Sequence, residues 1–125
     1  MINLIIDAAN EKIVFVIIID KQSYTTSYIN SRENFDMFVN LLLIFFKKNE
    51  INMNDVERIF VNLGPGKFSS LRISISIAKA ISLAKNISLY GFKSKFVKNG
   101  NYKKILELDT KDLVINDLIK PYYSS

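Results

Sequence analysis

Ile59 to Leu83 reads I-F-V-N-L-G-P-G-K-F-S-S-L-R-I-S-I-S-I-A-K-A-I-S-L, and the fold turns on this stretch. Ile59-Phe60-Val61 is a β-branched and aromatic run, the composition of a buried strand. Gly64-Pro65-Gly66 interrupts it, because two glycines and a proline favour a tight turn over a regular element. From Ser69 onward large and small residues alternate at helical spacing, and Ser70, Ser74 and Ala78, four apart, line one stripe. Strand, glycine turn and small-faced helix together can seat a phosphate or admit a second helix at close range.

Outward from this unit the pattern is that of an α/β lobe. Asn3 to Ala8 and Ile13 to Ile19 predict two buried strands joined at Asn10-Glu11-Lys12. Ser23 to Ile29 predicts a third, edge-side strand of mixed polarity. A helix is expected over about Glu33 to Lys48, capped by Ser31 or Asn34 and closed by Lys47-Lys48 against the helix dipole. Its apolar stripe would hold Phe35, Phe38, Val39, Leu42 and Phe46, leaving Met37, Leu41, Ile44 and Phe45 outside it; such a helix is covered on more than one side. Asn52 to Asp55 is a polar link with a capping residue. Asn86 suits a left-handed cap after the second helix, and Ile87 to Phe92 predicts a fifth strand, parallel to the Ile59 strand.

Composition narrows the chemistry. The chain has 125 residues, 49% hydrophobic and 23% charged, with a formal net charge of +5, which is the balance of one globular domain. Cysteine and histidine are both absent, which excludes disulfides, thiolate nucleophiles and any Ser-His-Asp or Cys-His mechanism. The apolar runs fall short of the ~20 residues that cross a bilayer. Asp7 breaks the first run with no basic segment before it, so no signal peptide is read and a cytoplasmic location is expected.

The candidate sites are few. The loop Gly64-Pro65-Gly66-Lys67-Phe68-Ser69 fails as a nucleotide P-loop, since Val61 stands where the first glycine belongs and Phe68 follows the lysine. Asp7, ending the first strand, is read as a turn cap rather than a metal-linked carboxylate, because Ala8-Ala9-Asn10 supplies no phosphate hairpin. With Glu11 it makes too small an acidic cluster for a ribonuclease H-type metal site. Arg72 suits a bidentate carboxylate link, within the fold or across an interface. The Ser70-Ser74-Ala78 stripe fits tight packing on the chain's own sheet or a partner's helix, and the surplus apolar surface of the first helix favours the partner. Lys93 to Lys104 is basic with Phe96 and Tyr102 interleaved, the pattern of an RNA-binding segment; a solvated connection is the preferred reading. A final short helix is expected from Thr110 through Ile119, ended by Pro121 and followed by Tyr122-Tyr123.

The central stretch also resembles the signature of the TsaB (YeaZ) family, G-P-G-S-F-T-G-(L/V)-R-I-G followed by a small-residue helix. Gly64, Pro65, Gly66, Phe68, Leu71, Arg72 and Ile73 match it. Lys67 replaces Ser, Ser69 replaces Thr, and Ser70, Ser74 and Ser76 replace Gly. The likeness extends less sharply to the amino-terminal I-I-D-A-A-N and to Leu89-Tyr90-Gly91. It implies a single actin-like, ribonuclease H-like α/β lobe whose mixed sheet has about five strands, the first three antiparallel, with two main helices. On this reading residues 1–95 are the lobe. Residues 96–125 are a short basic connection and C-terminal helix, the remnant of the family's second lobe.

The same resemblance implies a non-catalytic subunit in threonylcarbamoyladenosine modification of tRNA. Its partners would be a TsaD-like catalytic subunit, a TsaE-like ATPase and a second copy of itself, with tRNA reached indirectly. No catalytic, cofactor or metal residue is expected in the chain. The expected seam comprises Phe38, Leu41, Leu42 and Phe45 on the first helix. Gly64, Pro65, Gly66, Phe68, Ser70, Arg72, Ile73, Ser74, Ile77, Ala78 and Ile81 supply the rest, and Ser74→Phe should block the partner while leaving the fold intact. A small RNA-binding module using Lys93 to Lys104, or a metal-dependent ribonuclease H-like enzyme, are the competing functions.

Overall fold

The structure is a computed structural model and describes residues 1–115 and 119–121. Three strands open the chain: β1 (Ile2–Asp7), β2 (Lys12–Ile19) and β3 (Gln22–Ile29). Two helices follow, α1 (Arg32–Asp36) and α2 (Phe38–Lys48), then β4 (Val56–Asn62), α3 (Phe68–Lys85) and β5 (Ser88–Phe92). A two-residue strand, β6 (Val114–Ile115), completes a sheet of order β3-β2-β1-β4-β5-β6. β1, β2 and β3 pair antiparallel, β4 runs parallel to both β1 and β5, and β6 returns antiparallel to β5. The expected lobe is present, with six strands where about five were anticipated.

Local chemistry sets the element ends. Ser31 caps α1 by accepting from the Asn34 amide, and Asn52 caps the 3-10 turn Met53–Asp55 in the same way. α3 stops at Asn86, which takes the left-handed conformation (φ 54°, ψ 48°) that its short polar side chain tolerates. The single helix expected over 33–48 is broken at Met37 into α1 and α2. In α2 Phe38, Leu42, Phe45 and Phe46 share the inward face at helical spacing, and Val39 turns out. Phe45 was expected outside that stripe; its ring packs on Phe15, centroids 6.2 Å apart.

The sheet is covered on both faces, which is why β1 and β2 read as nearly unbroken apolar runs. Successive side chains of a strand point to opposite sides. Leu4, Ile6, Phe15, Ile17, Ile59 and Val61 therefore meet α2 and α3, forming one core with Phe38, Leu42, Leu71, Ile75 and Ala78. Ile5, Val16, Ile18, Phe60 and Phe92 point the other way.

That second face is covered by the segment expected to be a solvated connection. The 3-10 turns Ser94–Val97 and Tyr102–Glu107 lay Val97 and Ile105 onto it, with Phe96, Tyr102, Leu106, Leu108 and Leu113 half-buried around them. The apolar residues of this stretch are therefore core residues. The physical reason is that a sheet face lined by Ile5, Val16 and Phe60 has to be removed from water by something. The final helix expected from Thr110 is also corrected: Thr110–Asp112 is a 3-10 turn and Val114–Ile115 a strand. The remainder of that helix (116–118) and Tyr122-Tyr123 lie outside the described residues.

Candidate functional site

The strand–turn–helix unit is tied to the rest of the lobe through its loop. Gly66 rests directly on Ala9: a Cβ there would meet the Ala9 carbonyl oxygen and lie 2.7 Å from the Ala9 Cβ. The Lys67 amide donates to Ala9 O at 3.0 Å, the Gly64 amide to Asn62 Oδ1 at 2.8 Å, and the Ser94 amide to Gly64 O at 2.9 Å. Lys67 turns outward to an exposed ion pair with Glu11 (3.4 Å), an arrangement of small energetic weight.

Below this loop lies a buried polar cluster. Asp7 is 4% exposed and Asn62 wholly buried. Asp7 Oδ1 accepts from the Ala9 amide at 3.1 Å, the turn cap expected of it, and from Asn62 Nδ2 at 3.0 Å. Its Oδ2 accepts from the Tyr102 hydroxyl at 2.6 Å. Both oxygens are thus engaged by the protein's own donors, which fits a structural carboxylate rather than one held open for a cation or phosphate. Among the described residues, no three carboxylates converge. Burial first, and then the charge and hydrogen bond of Asp7, push the Tyr102 phenol well above its ordinary range.

The Tyr102 contact spans 95 residues of sequence and is invisible to local patterns. Removing it by Tyr102→Phe should cost about 1.5–3 kcal/mol, since the acceptor is a carboxylate, and lower Tm by roughly 5–10 °C. A phenol whose pKa is raised by folding contributes its full share below its unfolded value of about 10, begins to lose it above that value, and has lost it only once pH passes the raised folded value. The difference in Tm between wild type and variant should accordingly shrink above about pH 10, which calorimetry at about pH 7 and about pH 11 would read.

The helical layer holds most of the residues expected at a seam, but turns them in two directions. Ser70, Ser74 and Ala78 are at most 1% exposed and face the sheet. Ser70 Oγ accepts from Asn30 Nδ2 at 3.0 Å, and Ser74 donates to Leu71 O at 3.2 Å. The small stripe therefore lets α3 sit close on its own sheet, which corrects the reading of these side chains as a partner's landing strip. Phe38, Leu42, Phe45 and Gly66 are likewise buried within the lobe. Ser74→Phe would overpack the core and unfold the lobe, not merely block a partner.

The flank and outer side of the helices form a different surface. On α3, Ile73, Ile77 and Ile81 recur every four residues as a half-buried ridge. Phe68, 53% exposed, begins the same side. Phe68, Ser69, Arg72, Ile73, Ser76 and Ile77 line a shallow groove of about 370 Å³. Arg72 meets no carboxylate among the described residues; its guanidinium lies 5.4 Å from the Phe68 ring centre, so the link to an acid within the fold is absent there. On α2, Leu41 is half-buried while Val39, Leu43 and Ile44 are about half exposed. Pro65 is exposed at the turn.

What fold and site define is a single mixed-sheet α/β lobe whose helices α2 and α3, both on one face, carry exposed apolar side chains. Residues 29–95, just over half of the chain, match the family model described as "TsaD: tRNA N6-adenosine threonylcarbamoyltransferase". The chain belongs to this family, and its likenesses within it are to TsaB (YeaZ) members. It is 42% identical over 41 residues to the TsaB protein of Buchnera aphidicola subsp. Baizongia pistaciae, a stretch covering 33% of this chain and 19% of that protein. With the TsaB protein of Buchnera aphidicola subsp. Schizaphis graminum it shares 38% over 45 residues, 36% of this chain and 21% of that one. YeaZ from Pseudomonas aeruginosa superposes with a TM-score of 0.74 over 92% of this chain and 64% of its own, at 11% identity. The matched stretches thus span about a fifth of the two curated relatives. Among the described residues no helix is long and apolar enough to cross a membrane.

Proposed function

We propose that this chain is a non-catalytic scaffold subunit in the making of threonylcarbamoyladenosine in tRNA, and that it holds a TsaD-like catalytic subunit against α2 and α3. Both curated relatives carry the name "tRNA threonylcarbamoyladenosine biosynthesis protein TsaB". The observation that carries the scaffold role is the double use of α3. Its small stripe is spent on the sheet, yet Ile73, Ile77 and Ile81 make a half-buried apolar ridge along its flank, packed on the core and still partly open to solvent beside the exposed Phe68. A ridge at four-residue spacing is what a second helix packs into. With the exposed apolar side chains of α2 it supplies material for a standard interface of roughly 1,600 Å². A homodimer through the same ridge, and a TsaE-like ATPase acting on the assembled pair, belong to the same reading, as does a cytoplasmic location beside tRNA.

The test is light-scattering mass after size exclusion, run on the chain alone and then with a TsaD-type subunit from the same source. A defined heterodimer, formed at the expense of any homodimer, is the expected result. A monomer that ignores that partner would sink the proposal.

A further inference from the structure

The chain's whole positive excess sits in one place. Residues 93–104 hold five of its 17 cationic residues and none of its 12 acidic ones, which leaves the rest of the chain at 12 against 12. The fold converts this run into a surface. Val97 and Ile105 pin it to the sheet, and Phe96 and Tyr102 are half-buried beside them. Lys93, Lys95, Lys98, Lys103 and Lys104 are all left exposed. Lys103 Nζ donates to the Lys21 carbonyl at 3.3 Å, which brings Lys21 of the β2–β3 turn alongside; Asp20 is its acidic neighbour there. At the other end Lys93, Lys95 and Lys111 line a hollow of about 250 Å³ together with Asp112 and Gly91. Asn99 and Asn101 add exposed amides between the lysines.

We propose that this strip binds the phosphate backbone of RNA directly. Three features favour a polyanionic chain over an acidic protein. The strip is lysine-rich, and lysine is depleted from protein–protein interfaces but abundant where nucleic acid binds. Among the described residues none of the large exposed hydrophobic side chains falls within 93–107, whereas the helical layer carries several. Lysines and amides without an apolar anchor position a backbone and carry no base readout. The strip also covers the face of the sheet opposite α2 and α3, so a protein held by the helices leaves it open. The inference therefore does not depend on the scaffold reading.

The experiment is fluorescence anisotropy of the full chain, with no partner present, against a labelled RNA hairpin of about 20 nucleotides. Binding in the micromolar range at about 50 mM salt is expected, weakening roughly 50- to 150-fold by about 200 mM as about four lysine–phosphate contacts release counterions. The triple variant Lys95→Gln/Lys98→Gln/Lys104→Gln should bind at least about tenfold more weakly with a shallower salt slope. Lys47→Gln/Lys48→Gln/Lys85→Gln, on the helices, should bind as wild type. All six lysines are exposed, and the single variants Lys98→Gln and Lys104→Gln give the same direction should the triple variant fold poorly. No binding at the lower salt, equal loss in both triple variants, or preferential displacement of the RNA by polyglutamate would each overturn the proposal.

Discussion

Phe68→Glu combined with Ile77→Glu is expected to weaken capture of a TsaD-like subunit at least about 100-fold while leaving the lobe folded. Both side chains line the groove on the outer side of α3. Phe68 is more than half exposed, and Ile77 is half-buried against the helix-side core. In the free lobe a glutamate at either position reaches water, and one at 68 lies beside Arg72. Within a closed interface the carboxylate at 77 would be stripped of water without a matching donor, a cost of several kcal/mol, and the change at 68 would remove the aromatic anchor. Truncating an interface anchor alone costs about 2 kcal/mol or more, and about 1.4 kcal/mol is a factor of ten in Kd. Calorimetric titration against the partner reads the affinity, and circular dichroism reads the fold. Undiminished affinity would place the seam elsewhere.

Gly66→Ala should destabilise the lobe by about 2–4 kcal/mol and lower Tm by about 10 °C or more. The added methyl group would press on the Ala9 carbonyl oxygen and lie 2.9 Å from its carbonyl carbon. Those are backbone atoms, and neither side can retreat. The Lys67 amide fixes the turn to Ala9 O, and the Gly64 and Ser94 bonds hold it to Asn62 and to the second-face cover. Gly100→Ala is the matching control. Gly100 has φ 71°, and a Cβ added there would meet nothing within 4 Å, so only backbone strain of about 1–2 kcal/mol is at stake. Thermal melts of the two variants separate steric closure from strain. Equal losses would mean that the Gly66 contact yields more easily than its backbone partners allow.

What the sequence determined by itself was local in origin. Strand β4, the glycine turn, α3 and strand β5 follow from β-branched runs, Gly64-Pro65-Gly66, helical spacing and the left-handed Asn86, all decided within a few residues. The Ser31 and Asn52 caps are of the same kind, and the lack of histidine and cysteine closed off whole classes of chemistry without a fold. Tertiary structure alone decided which way each helix turns and what covers the second face. A stripe of Ser70, Ser74 and Ala78 suits close approach on either side, so nothing in its spacing tells sheet from partner; the sheet claimed it, and the ridge of Ile73, Ile77 and Ile81 was left half-buried along its flank. Phe45 went into the core with Phe38 and Leu42, from which it stands seven and three residues away on the same helical face. The lysine-rich run looked like a solvated connection because its charges dominate its composition. Yet Phe96, Val97, Tyr102 and Ile105 bury themselves on Ile5, Val16 and Phe60, residues brought near only by the folded sheet. Long-range burial of this kind leaves no periodic trace in the chain, since each apolar residue answers to a surface assembled elsewhere.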